Sequence, residues 1–263
     1  MNLSLKKMVV LLTLNFFLIT FNAYGQTNSF SQNDSALANL YNKIMPGGDY
    51  DSVEYYSGLF SSTFSSFINN NPGTLTYTFK FLRGNKAFNT VTSADGRFRI
   101  YSWDTWLGGS MHDFNNIFQF RSGNTTHTKT MSDSEEDFGS YYTDIYTLNT
   151  GNKTYYVTVG GGSESSALAY EMLNIYTISD DTLNGNEKLI RTENGLTNSL
   201  FFEYDFSSVI DSPQRPAHLI KYDTAKEIIS IPVILDDGKV TDRHIRYRLK
   251  GQYFEKTPET GNP

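Results

Sequence analysis

The chain has 263 residues and a formal net charge of −6, with 22 Lys and Arg against 28 Asp and Glu. The basic residues are scattered, which excludes the stripe that a nucleic acid or an anionic lipid surface would need. There is no cysteine, so no disulfide framework or thiolate metal site is available; packing must supply the stability, with 19 Phe and 18 Tyr as the bulky apolar stock.

The first stretch reads MNLSLKK, then MVVLLTLNFFLITF, then NAYGQ. Lys6 and Lys7 make a positive leader and Met8 to Phe21 an apolar run too short for a comfortable membrane span. Ala23 and Gly25 stand at the small-residue positions before Gln26. The expectation is a cleavable signal peptide over residues 1–25, with export to the periplasm or the exterior. The lack of a cysteine after it excludes a lipoprotein anchor, and no later stretch reaches the length of a membrane helix.

Residues 26–73 read as a helical segment. Leu37, Leu40, Tyr41 and Ile44 recur at helical spacing behind a cap at Asp34 or Ser35, and Pro46, Gly47 and Gly48 end this first helix. A second helix is expected from Ser52 to Ile68, with Val53, Tyr56, Phe60, Phe64, Phe67 and Ile68 on one face and a stop over Asn69 to Gly73.

From Thr74 the period changes to two. Leu75, Tyr77, Phe79 and Phe81 alternate with Thr74, Thr76, Thr78 and Lys80, which predicts a strand over 74–81. An Ala94, Asp95, Gly96 turn leads into a strand at Arg97–Trp103. Further strands are expected at Ile117–Phe120, Thr125–Met131, Tyr142–Leu148, Lys153–Val159, Leu173–Ile178, Lys188–Arg191, Leu200–Phe206, His218–Tyr222, Ile228–Val233, His244–Leu249 and Gln252–Phe254. Asn184-Gly185 reads as a tight turn between two of them. The domain over 74–263 is therefore mainly β, with antiparallel multi-stranded sheets, and the lack of strand–helix alternation argues against an α/β fold.

Three blocks share a layout of strand, Gly- or Asp-rich loop and second strand: FRIYSWDTWLGGSMHDFNNIFQFRSGN, TYYVTVGGGSESSALAYEMLNIYTISDDTLNGN and IISIPVILDDGKVTDRHIRYRLKGQYF. In layout they resemble β-propeller blades. The resemblance implies a propeller-like fold, with a sandwich or an open barrel as the alternatives, and carries no blade signature such as a recurrent Trp-Asp.

Chemistry is sparse. Gly161-Gly162-Ser163-Glu164-Ser165 meets four of the five positions of the G-x-S-x-G nucleophile elbow, with Asp223 and His244 following in hydrolase order and Ala167–Leu173 in the place of the helix. The parallel sheet that motif needs is missing, so the stretch reads first as a flexible connection between strands. Asp133, Glu135, Glu136 and Asp137, and the Asp180, Thr182, Asn184, Gly185 run, each lack a residue that a calcium loop requires, and the four histidines show no metal-ligand spacing. Neither a metal nor a cofactor is expected.

The remaining lead is YSWDTWLGGSMHDF, residues 101–114, with the only two tryptophans of the chain. Trp103, Asp104, Trp106, His112 and Asp113 are the candidate ligand-binding residues, because aromatic faces beside carboxylates suit a carbohydrate or another small molecule. The competing reading is that Trp103 ends a strand facing the core and Trp106 pins the loop. The resulting expectation is a non-catalytic binding or interaction protein of the cell envelope or exterior, taking a carbohydrate, small-molecule or protein ligand. A secreted hydrolase, by two carboxylates or by Ser163, is the alternative, and a protein inhibitor or envelope-assembly factor a further one.

Overall fold

A computed structural model describes residues 29–44, 47–109, 112–131, 139–209 and 218–257. The expected signal peptide lies outside the described residues, as do Asp133, Glu135, Glu136 and Asp137.

Helix α1 covers 29–41, which begins before the expected cap. Asp34 is thus an interior residue of the helix. Its buried carboxylate accepts the backbone N–H groups of Phe81 and Leu82, each at 3.0 Å, so it caps a neighbouring turn instead of its own helix. Helix α2, Tyr50–Asn70, begins at Asp49, whose side chain accepts from Ser52 N at 3.2 Å. Its apolar stripe of Val53, Phe60, Phe64 and Ile68 is buried, as the helical spacing predicts.

The expected strand over 74–81 does not form. Pro72–Leu75 is a short 3-10 turn, and Phe79 has a φ of 51°, outside extended space. Leu75 and Phe79 are buried as the alternation requires, but no strand satisfies the backbone. Instead the buried guanidinium of Arg99 donates from Nη1 to the carbonyls of Thr74 (2.7 Å) and Tyr77, and the Tyr101 hydroxyl lies 2.9 Å from the Thr74 carbonyl. Side chains take the place of a ladder, which satisfies the carbonyls equally well and leaves no period to read.

Fifteen strands among the described residues form three sheets. The first sheet is the up-and-down meander β1 (Phe88–Thr92), β2 (Phe98–Asp104), β3 (Phe114–Ser122) and β4 (Thr125–Met131). The second contains β5 (Tyr141–Thr150), β6 (Lys153–Ser163) and β7 (Leu168–Ser179), with β11 (Ser199–Asp205) beside β7 and the short β8 (Thr182–Asn184) also on β7. The third runs in the order β10 (Gly195–Thr197), β9 (Ile190–Thr192), β15 (Tyr253–Lys256), β14 (Val240–Lys250), β13 (Ile228–Ile234) and β12 (Lys221–Asp223). All described pairs are antiparallel except β15 with β9. Each of the three look-alike blocks supplies the central strands of a different sheet. The β7–β8 turn sits at Asp180–Asp181, both at positive φ, and not at Asn184-Gly185 as expected.

The sheets stack face to face. On the first, Tyr101, Trp103 and Ile117 face the helices and pack with Tyr41, Phe60, Phe64 and Ile68. The opposite phase, Phe98, Ile100, Phe118 and Phe120, packs on Tyr142, Ile145 and Tyr156 of the second sheet. The other face of the second sheet, with Val157, Val159, Leu173 and Ile175, packs on Ile229, Ile231, Tyr247 and Phe254 of the third. A bulge at Thr143 lets Tyr142 face the first sheet while Tyr146 and Leu148 face the third. The helical segment therefore shares a core with the first sheet.

Candidate functional site

VTVGGGSESS, residues 157–166, is strand and turn. Gly160 to Ser163 continue β6 in register with β7, from Gly160 opposite Met172 to Ser163 opposite Ala169. Glu164 N and Ser165 N then bond to the Leu168 carbonyl and close a hairpin. Because Leu168–Ser179 is a strand, the turn-to-helix geometry of a nucleophile elbow is not formed, and neither Asp223 nor His244 lies beside Ser163 in the cavity described below. The glycines have a packing cause. A Cβ on Gly161 would lie 2.4 Å from the Tyr170 carbonyl oxygen. One on Gly162 would meet the Tyr170 ring at 2.8–3.0 Å, and one on Gly160 the Tyr142 ring at 3.1 Å. The contact at Gly161 is with backbone that cannot swing away, whereas at Gly160 and Gly162 a Cβ would press on aromatic rings lying over the strand.

The loop after β2 is held just as tightly. Thr105 N bonds to the Asp113 carbonyl at 2.7 Å and Thr105 Oγ1 donates to Asp113 Oδ2 at 2.7 Å, while Asp104 Oδ1 accepts from Trp106 N at 2.8 Å. Trp106 and His112 both have positive φ, 61° and 49°, a conformation that non-glycine side chains adopt only where the surroundings impose it. Gly108 sits against the backbone of His112, where a Cβ would be 2.7 Å away.

These two stretches, distant in sequence, line one cavity of about 360 Å³, within the usual range for small-molecule sites. The glycine strand is one wall. Trp106, His112, Phe114 and Tyr141 form another, with Tyr170, Tyr204 and Phe206 beyond and Lys86 exposed at the edge. The His112 ring stacks on Phe114 (centroids 6.0 Å, 16°) and meets Trp106 edge-on at 5.6 Å. Its Nδ1 lies 2.5 Å from Asp104 Oδ2; the His112 side chain is 40% exposed and that of Asp104 3%. Burial pushes the Asp104 carboxyl above the usual range, against the pull of the Trp106 N–H and of His112.

A second acid enters from the other side. Glu171 stands on the buried phase of β7, between Ala169 and Leu173, and its carboxylate accepts Leu219 N (2.9 and 3.1 Å) and Ile220 N (2.8 Å). Burial pushes it up to about 7, with the backbone donors opposing and Asp144 adding to the rise.

Of the five residues expected from the sequence, Asp104, Trp106 and His112 come together on the cavity. Asp113 clamps the loop through Thr105. Trp103 faces the other way, buried against Phe60 and Phe64 with its Nε1 3.3 Å from Ser61 Oγ. One residue of register separates it from Asp104, and in a strand that reverses the face. Glu171, Phe114, Tyr141 and Tyr170 escaped the sequence reading. For Glu171 a signal existed: an acid in the apolar phase of Ala169, Leu173 and Ile175.

Among the described residues no cluster of three or more His, Asp or Glu side chains could hold a metal ion, and no helix is long and apolar enough to cross a membrane. No family model matches the chain, and comparison with curated proteins returns no match.

Proposed function

We propose that the protein is an exported binding protein that takes a small, largely apolar ligand in the cavity between the loop after β2 and the glycine strand of β6. The observation that carries this reading is the convergence of Trp106, Phe114, Tyr141 and Tyr170 with the Asp104–His112 pair around about 360 Å³. An apolar lining with a few fixed polar groups is what a site for an organic molecule requires. The aromatic walls favour a ring or short alkyl chain over a sugar, whose many hydroxyls would need more polar partners. Export rests on the leader features of residues 1–25. Among finer architectures, the four-strand order of β1 to β4 supports a propeller-like blade, and the face-to-face packing of successive sheets suits a sandwich equally.

The test is fluorescence titration with 1-aminoanthracene. Saturable enhancement is expected, and Trp106→Ala weakens it at least tenfold while the circular dichroism spectrum stays unchanged. Trp103→Ala instead lowers the melting temperature. No saturable signal, or equal affinity in Trp106→Ala, would sink the reading.

A further inference from the structure

The same cavity holds an arrangement that binding alone does not require. Asp104 is almost wholly buried, and both of its carboxylate oxygens are engaged: Oδ1 by Trp106 N at 2.8 Å and Oδ2 by His112 Nδ1 at 2.5 Å. A carboxylate only accepts, so Nδ1 is the nitrogen that carries hydrogen, and in the neutral ring the lone pair is left on Nε2. The ring is gripped by Phe114 and Trp106, and its backbone is held at a φ of 49°. A buried acid behind a half-exposed, oriented imidazole is the geometry of a general base with its orienting partner.

We propose that His112 is a general base that activates water against an ester of a small apolar acid bound in this cavity, with Asp104 as its positioning residue. The inference rests on the binding reading above only for the place of the ligand. Water supplies the nucleophile. As its oxygen bonds to the ester carbonyl carbon, its proton passes to His112 Nε2. When the tetrahedral intermediate collapses, the bond from carbon to the alcohol oxygen breaks and that oxygen takes the proton back from Nε2. The products are one carboxylic acid and one alcohol, and His112 ends neutral, as it began. Asp104 Oδ2 accepts from Nδ1 throughout and holds the ring while it is transiently positive. The ester class follows from the walls: Trp106, Phe114 and Tyr141 cover an acyl group, and an alkoxide readily accepts the proton His112 holds.

The experiment uses p-nitrophenyl butyrate with the full mature chain. Saturable release of p-nitrophenol above the buffer rate is expected. His112→Gln loses 100-fold or more in kcat with KM little changed, in line with the usual contribution of a positioned base. Asp104→Asn lowers kcat at least tenfold and moves the rising limb of the pH–rate profile, a readout that lost packing alone would not move. Intact-mass analysis during turnover shows no acyl adduct. Wild type no faster than buffer, full activity in His112→Gln, or an accumulating acyl-protein would each overturn the proposal. If a variant fails to fold, carbethoxylation of wild type decides the matter: loss of turnover must track the adduct that peptide mapping places on His112, and tracking another histidine overturns it. Saturable 1-aminoanthracene binding without turnover defeats this inference alone, whereas the absence of both defeats the binding reading as well.

Discussion

Glu171 makes the stability of this protein depend on pH in a direction opposite to that of a surface acid. Its carboxyl is raised from the ordinary 4.5 to about 7 because burial between the second and third sheets penalises the charged form more than the N–H groups of Leu219 and Ile220 compensate it. Asp144, which itself lies 3.4 Å from His218 Nδ1, adds to the rise. The folded state thus holds the proton more tightly than the unfolded chain does. The stability tied to this proton is fully present below 4.5 and is lost as pH rises through about 7. At about 1.4 kcal/mol per pH unit, the loss across that window is on the order of 3 kcal/mol, a large share of a domain's usual margin. The assay is urea unfolding of wild type and Glu171→Gln at steps between pH 4 and 8, because the amide keeps an acceptor for the loop but cannot ionise. The stability difference, wild type minus variant, should fall by that amount between pH 4.5 and 7.5. A difference that is flat across this range, or that rises with pH, would show that folding does not raise the Glu171 carboxyl.

Phe64→Ala should cost about 3–5 kcal/mol by denaturant unfolding, since the fully buried ring meets Phe60, Phe79, Phe88, Tyr101 and Trp103 and joins α2 to the first sheet. Gly161→Ala should destabilise by about 1–3 kcal/mol, because its Cβ would sit 2.4 Å from a backbone oxygen that cannot swing away. Gly84→Ala, with open space around it, serves as the control and should change stability by no more than about 0.5 kcal/mol.

Where a local period governs, the sequence is legible. The stripe of α2, the inward phase of Phe98 and Ile100, and Ile245, Tyr247 and Leu249 turned inward while Arg246 and Arg248 face outward all follow from spacing and hydropathy. Where a side chain substitutes for backbone pairing, it is not. The 74–81 segment has a strand's alternation, but Arg99 and Tyr101 bond its carbonyls, and Asp34 has the composition of a helix cap while serving a distant turn. The strand β1, with its mixed FNTVT sequence, shows too little period to be read at all.

The site divides along the same line. The residues themselves determine that the chain is mainly β, free of disulfides and rich in aromatic area, and that the loop around Trp106 concentrates the residue types that bind ligands. Tertiary structure alone decides that this loop faces the glycine strand some 50 residues further along, that Asp104 points into the cavity while Trp103 points away, and that Glu171, opposite Gly161 on the neighbouring strand, lines the same cavity. The physical reason is that period and propensity act over a few residues. A cavity is set by which sheet faces meet, and that depends on strand order, on the bulge at Thr143 and on rings such as Tyr142 and Tyr170 that pack closely over the glycines.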